Sequence, residues 1–167
     1  RAAEMGLTKI SEEHNDFMYV DKFCKVFYRQ VKTSSETLPF FALFCTPNPN
    51  SVEEYFGGFV SDLYKFIGNE VVMERAKASI LETNVPIIEE SYLMNSPKNT
   101  KFEYRFSISH GGQRIPSVGD LIPQITVNNS YDGTGIEKLS FGLSFVDQNK
   151  SGTHMTFRTK LGSFSQV

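Results

Sequence analysis

The chain has few of the features that mark special classes of protein. Its 167 residues include two cysteines, Cys24 and Cys45, and neither belongs to a CxxC pair. Isolated cysteines do not build a disulfide framework, so we expect buried, reduced and inert thiols. No apolar run approaches the roughly 20 residues that a membrane helix needs, and no secretory signal is visible. We therefore predict a cytoplasmic protein without a membrane partner.

Motifs for nucleotide binding and catalysis are also missing. There is no Walker sequence and no G-x-G-x-x-G. The three histidines lack metal-ligand spacing, so we predict neither a metal nor a cofactor. Ser109, His110 and Asp120 can be assembled into a hydrolase-like set, with His110 as base or ligand, but an ordinary loop histidine is favoured. No catalytic residue is assigned, and an enzyme is not expected.

Aromatic residues are abundant, with fifteen Phe and seven Tyr but no Trp. Such a composition favours sheet faces and a bulky core, and it names no ligand. The length suits one domain, 1–167, with a substantial core. The chain begins at Arg1 and ends in strand-like sequence, which is also typical of a fragment of a longer chain.

The first part of the chain favours helices. We predict an exposed lead-in at residues 1–16 and a mainly helical region at 17–96. Apolar residues from Phe17 to Val31 recur at helical spacing, although a strand is the alternative. Ser51 and Glu54 form a capping box for a second helix that reaches Ile67, and Asn69 caps a third, Glu70 to Glu82. Leu38 to Cys45 suits a buried strand, and residues 84–90 suit a short edge strand.

The second part, 97–167, favours an antiparallel sheet. Lys101 to Ser109 alternates apolar and polar residues, as does the run from Leu139 to Phe145. The central hairpin spans Val118 to Phe145, and its turn contains Asn129, Asp132 and Gly133. Helices followed by a meander of strands predict an α+β fold, in which the sheet packs against two or three helices.

Basic residues lie on the polar sides of the predicted strands. Residues 1–96 carry 9 Lys and Arg against 14 Asp and Glu, whereas residues 97–167 carry 8 against 5. Six basic side chains would form a stripe if neighbouring strands align them: Lys101, Arg105, Arg114, Lys138, Arg158 and Lys160. Such a stripe is typical of a surface that binds single-stranded nucleic acid, although a solvated sheet face has the same composition.

The segment from Val118 to Thr134, which ends in Asn129-Ser130-Tyr131-Asp132-Gly133-Thr134 and is followed by an alternating strand, resembles an uncharacterised phage/plasmid-like family of bacteria and their mobile elements. Members carry a similar GD…P…NSxDG[ST] strand and turn. The resemblance covers about a quarter of the chain, and after the strand Val146 to Gly152 replaces the arginine and C-x-N-G turn common in members. It implies a phage, prophage or plasmid protein of the host cell cytoplasm, acting in DNA replication, recombination or host takeover, and no established active site.

Three hypotheses follow from these observations. The first is a non-enzymatic protein of DNA transactions that binds single-stranded DNA through the basic sheet face. The second is a protein-interaction or virion-structural module that self-associates, or docks another phage or host protein, through its acidic half or an aromatic patch. The third is a hydrolase that uses His110 and Asp120.

Overall fold

The structure is a computed structural model that describes residues 5–109, 112–115, 119–134, 137–146 and 154–164. The strands at 113–115, 137–146 and 154–164 are described by their backbone. Within these ranges the chain forms eleven strands, arranged in two antiparallel sheets, and one helix.

The first sheet is a five-stranded meander in which each strand pairs with the next along the chain. Its strands are β1 (Thr8–Ser11), β2 (Asp16–Val20), β3 (Lys25–Lys32), β4 (Thr37–Cys45) and β5 (Tyr55–Ser61). Successive side chains of a strand point to opposite faces. Val26, Tyr28 and Leu43 point inward and are buried, so this face forms one wall of a core.

The second sheet contains the remaining strands in the spatial order β11-β10-β9-β7-β6, with β8 pairing β9. The strands are β6 (Ile87–Met94), β7 (Lys101–Ile108), β8 (Gln113–Ile115), β9 (Gly119–Ser130), β10 (Glu137–Val146) and β11 (His154–Phe164). The hairpin of β9 and β10 confirms the predicted central hairpin. Strand β7 confirms the predicted alternation, since Phe102, Tyr104, Phe106 and Ile108 are all buried.

Helix α1 (Asn69–Glu82) joins the two sheets along the chain and packs on β7 and β9. Its Val72, Met73 and Ile80 form a cluster with Phe102 and Phe106. The helix follows Gly68, which is its N-cap and supplies no side-chain cap, so Asn69 is not the cap that the sequence predicted. In the described part of the chain, no helix is long and apolar enough to cross a membrane.

The predicted fold class, an α+β fold with a C-terminal sheet packed against two or three helices, is wrong. The described chain is mostly antiparallel β, in two sheets, with the single helix α1. Region 17–96, predicted to be mainly helical, contributes β2 from its second residue, the whole of β3 to β6, and only one helix. The predicted lead-in contains β1, which pairs with β2.

Segment 17–31 forms a hairpin because its residues favour strands and its centre favours a turn. Val, Phe and Tyr pack well on a pleated surface and lose side-chain freedom in a helix. Asp21 then closes the turn, since its carboxylate accepts hydrogen bonds from the N–H groups of Phe23 and Cys24 at 2.8 and 2.9 Å. The spacing of apolar residues fits both periods here, and the turn chemistry decides.

Segment 51–67 is a strand and a loop, because the predicted capping box does not form. The Ser51 hydroxyl accepts a hydrogen bond from the N–H of Glu53, while Glu54 turns to Arg29 on β3. Gly58 has a φ of +146°, which no helix contains. Gly57 is also required: a Cβ there would lie 2.5 Å from the Thr100 side chain.

A buried polar junction, formed by Asp21, Asn69, Asn129 and Tyr131, joins the helix to both sheets. All four residues are less than a tenth exposed. The Tyr131 hydroxyl accepts a hydrogen bond from the first N–H of α1, at Asn69, over 2.8 Å, and donates one to the Asp21 carboxylate over 3.2 Å. The Asn129 side chain donates to the carbonyl of Ile67 and to the Asn69 side chain. These buried polar groups therefore satisfy one another, whereas the Asn69 Nδ2 has no hydrogen-bond partner in the described chain.

Replacing Tyr131 with Phe tests this junction. The change removes one hydroxyl and leaves the Asn69 N–H and one Asp21 oxygen without that partner, so we expect a loss of about 2–3 kcal/mol in the free energy of unfolding. Urea denaturation of the full chain measures it. Tyr55→Phe is the matched control, because its hydroxyl bonds Glu53 on the surface, and we expect under about 0.5 kcal/mol. Equal losses in the two variants would contradict a structural role for the buried hydroxyl.

Candidate interaction surface

The outer face of the first sheet is the side that points away from the core. Strand pairing places its residues in rows across β2 to β5. We call the following set the outer face: Met18, Val20, Phe27, Arg29, Phe40, Ala42, Phe44, Phe56 and Phe59. Five of its members are phenylalanines, and at its borders Lys25 pairs Val20 and Ser61 pairs Phe40.

The phenylalanines of the outer face form an exposed aromatic surface. Phe40, Phe56 and Phe59 are 45%, 44% and 62% exposed. The rings of Phe44 and Phe56 lie 5.6 Å apart, and those of Phe56 and Phe59 lie 5.1 Å apart, both edge to face. The large exposed apolar patches of a soluble domain usually mark an interaction site.

Arg29 lies among these rings and is already paired. Its guanidinium lies 4.7 Å from the ring centroid of Phe44 and 5.4 Å from that of Phe27. The two terminal nitrogens contact the two carboxylate oxygens of Glu54 at 2.7 and 3.0 Å. This forked pair satisfies the arginine within the chain and fixes its plane. The outer face therefore presents aromatic surface around a neutralised ion pair.

The charge around the outer face does not favour a polyanion. Residues 5–66, which form the first sheet and its loops, carry six Lys and Arg against eight Asp and Glu. Nucleic acid binding takes most of its affinity from cations that neutralise phosphates. Aromatic rings here consequently offer stacking without the phosphate contacts that a single strand requires.

The six predicted basic residues lie at positions that share one face of the second sheet. Each lies in a row of the sheet that passes through an even-numbered position of β9. Direct pairs are Lys101 with Ser130, Arg105 with Thr126, Arg114 with Asp120 and Lys138 with Asn128. Across β10, Lys160 lies in the row of Thr126 and Arg158 in the row of Gln124. Directly paired positions of an antiparallel sheet share a face. The register therefore brings the six positions together, while their role in binding nucleic acid stays a prediction.

Some residues of this basic face are buried, and the charge of one arginine is neutralised. Ser107, Gln124 and Thr126, at its centre, are buried. Arg105 is paired with Glu103, its neighbour on the same face, at 2.6 Å. Lys101 is exposed at the beginning of β7. Of the six predicted residues, the side chains of Lys101 and Arg105 are described, and Lys101 is the more exposed of the two.

The candidate catalytic residues are not brought into a site by the described chain. Ser109 follows β7 and is exposed, Asp120 lies on β9, and His110 lies outside the described residues. Among described residues no group of three His, Cys, Asp or Glu could hold a metal. Cys24 and Cys45 are free and buried, and burial raises the pKa of the Cys45 thiol to about 12, so these thiols are unreactive.

The predicted turn residues hold structure. Asn129 belongs to the polar junction, and Gly133 has a φ of +69°, which glycine adopts without strain. Burial alone would raise the pKa of the Asp132 carboxyl, but hydrogen bonds from Ser130 and Thr134 hold that pKa below its ordinary value. Thr134 donates to Asp132 from both its N–H and its hydroxyl. Ser130, Asp132 and Thr134 are therefore hydrogen-bonded to one another within the turn.

Sequence reasoning missed the outer face because it placed most of these aromatics on helices. Phe27 and Phe56 were assigned to apolar helical stripes, and Phe40 and Phe44 to a strand buried on both sides. A usable signal was the alternation of Phe27 and Arg29 with Val26 and Tyr28, which predicts a strand with two apolar faces.

No protein-family model, curated protein or solved structure matches this chain.

The pH dependence of stability tests the Asp132 turn. Because the folded pKa lies below the unfolded value of about 3.9, the charged carboxylate stabilises the fold above that value, and the contribution is lost as pH falls through the folded pKa. We expect Asp132→Asn to cost most near pH 7 and less at each step toward pH 3 in urea titrations.

Asp21→Asn is the control of opposite sign. Burial raises the pKa of the Asp21 carboxyl despite hydrogen bonds from Cys24, Phe23 and Tyr131. The contribution of this carboxyl to stability is therefore fully present below its unfolded pKa and is lost as pH rises through its folded pKa. The unfolding free energy of the native chain minus that of Asp21→Asn should therefore decrease as pH rises. Parallel profiles for the two variants would contradict these assignments.

Proposed function

We propose that this protein is a non-enzymatic interaction module that self-associates through the outer face of its first sheet. The observation that carries the proposal is the exposed cluster of Phe40, Phe56 and Phe59 around the paired Arg29. The partner is a second copy of this chain, packed face to face about a two-fold axis, as in the commonest oligomers.

The size of the surface supports a modest interface. A phenylalanine offers roughly 200 Å², so the exposed fractions of Phe40, Phe56, Phe59 and Val20 together with the half-buried members give about 500 Å² per chain. Two copies would bury about 1,000 Å², which is the lower end for a specific complex. We therefore expect a weak dimer with a dissociation constant of about 10–100 μM.

The charges of the outer face are complementary to themselves. Arg29 and Glu54 are adjacent and opposite in sign. A copy rotated by a two-fold axis through this region brings its Glu54 toward Arg29 and its Arg29 toward Glu54. An isologous contact needs this self-complementarity, whereas a strongly acidic or basic partner would leave one of the two charges opposed by its like.

Removing aromatic surface tests the proposal. Phe56→Ser with Phe59→Ser should raise the dissociation constant of the dimer at least tenfold, because both rings are exposed and their loss removes apolar contact area. Sedimentation equilibrium of the full chain between about 5 and 300 μM measures this. Ile88→Thr, which changes an exposed apolar residue on β6, is the control and should leave association unchanged.

A charge exchange separates a second copy from another partner. Arg29→Glu alone should abolish association, because it places like charges together, and adding Glu54→Arg should restore it. A chain that stays monomeric at about 300 μM would overturn self-association. So would a double charge exchange that fails to restore the dimer while circular dichroism shows the native fold.

A second candidate is the binding of single-stranded DNA on the basic face, favoured by the register that aligns the six basic positions. The resemblance to the phage/plasmid-like family supports a role in DNA transactions of a mobile element in the host cytoplasm. Lys101→Glu should weaken binding of fluorescent poly-dT several-fold in an anisotropy titration at low salt, because it replaces an exposed cation. Lys9→Glu, on β1 of the other sheet, is the control. Native binding weaker than millimolar would remove this candidate.

A further inference from the structure

An inner cleft of about 780 Å³ lies on the core side of the first sheet. Phe17, Tyr28, Phe41 and Val60 form its floor, Met5 and Leu7 lie along it, and the loop 62–66 borders it. The rings of Phe17 and Phe41 are 6.2 Å apart and only partly buried. The cleft is thus lined by inward-facing residues that the core covers only in part.

The core cluster beneath the first sheet ends short of the cleft. Phe66 and Tyr131 stack at 5.3 Å and pack with Tyr19, Val26 and Cys45. Phe17 and Phe41 only border this cluster, so their apolar surface faces the cleft. Binding sites for small molecules are concave, mainly apolar, and about 300–1,000 Å³ in volume, and the inner cleft meets each condition.

The chemistry of the cleft selects against a charged ligand. Among the described residues that line it, Asp62 and Lys65 are the charged ones, and they are exposed and opposite in sign. Two polar groups deeper in the cleft are used within the chain: the Gln30 amide donates to the carbonyls of Leu38 and Phe40, and the Tyr64 hydroxyl donates to that of Ser130. The hydroxyl of Tyr28 is buried without a hydrogen-bond partner in the described chain, and it is neutral. A buried ionic group would therefore meet no opposite charge among the described residues deep in the cleft.

We propose that the inner cleft binds an uncharged, mainly apolar organic molecule of about 15–25 non-hydrogen atoms. The site is separate from the proposed dimer surface, because β3 and β4 present Tyr28 and Phe41 to the cleft and Arg29 and Phe44 to the outer face. Contact with the aromatic floor supplies the affinity, and the exposed charges at the mouth supply none.

Titration of the full chain with the neutral fluorophore N-phenyl-1-naphthylamine tests the site. We expect saturable one-to-one binding with enhanced, blue-shifted emission. Leu38→Asp, which places a charge in the lining, should weaken binding at least tenfold, and Thr37→Trp, which fills the mouth from an exposed position, should weaken it as well. Phe59→Ser is the control, because this dye also adheres to exposed aromatic surface, and it should leave the dissociation constant unchanged.

Displacement of the dye identifies the ligand class. We expect 1-dodecanol to compete better than dodecanoate or dodecylamine; a carboxylate or an amine that competes tenfold better would overturn the uncharged class. Absence of saturable binding would overturn the site, as would its loss in Phe59→Ser with retention in both cleft variants. If the cleft variants disrupted the dimer and left dye binding intact, the cleft would be a protein contact and the proposal would fall.

Discussion

The arrangement of the molecule depends on one buried hydroxyl. The Tyr131 hydroxyl accepts from the first N–H of α1 and donates to the carboxylate that closes the turn between β2 and β3. A single atom thereby fixes the helix, the first sheet and the end of β9 with respect to one another. Burying the Asp21 carboxylate is costly, and three donors from the chain offset that cost. The most motif-like stretch of the sequence is therefore explained by internal hydrogen bonding.

The layers that this junction joins cover the inner face of the first sheet and the apolar face of the second. Phe66 and Tyr131 pack beneath the first sheet, and α1 packs on the apolar face of β7 and β9. With one helix there is no layer for the outer face of the first sheet in the described chain. Apolar area left in water forgoes about 25 cal/mol per Å², so a partner that covers the phenylalanines gains free energy that folding of one chain does not capture.

The second half of the fold was readable from the sequence because its strands alternate without ambiguity. Phe102, Tyr104, Phe106 and Ile108 fit only the two-residue period, and the register even aligned the six basic positions. The first half was readable only in part: the predicted strand Leu38–Cys45 and helix Glu70–Glu82 correspond to β4 and α1, but Phe17 to Val31 satisfies the helical and the strand spacing together. For that segment the local turn at Asp21 decides, and for segment 51–67 contacts distant in sequence do, such as Arg29 with Glu54 and Gly57 with Thr100. A strand that packs one face on the core and leaves apolar residues exposed on the other has the sequence pattern of a strand buried on both faces.

The two faces differ in charge. Stacking on aromatic rings serves nucleic acid bases as well as protein surfaces, and the phosphates distinguish the two uses. The outer face has its arginine neutralised by Glu54 and lies in an acidic half, so it suits protein, whereas the basic positions lie on the other sheet. A dimer formed through the first sheets would hold two basic faces in one particle. Two weak contacts with a single strand would then act together, since the second becomes intramolecular once the first has formed, and self-association would strengthen the binding of a polyanion without any new contact to it.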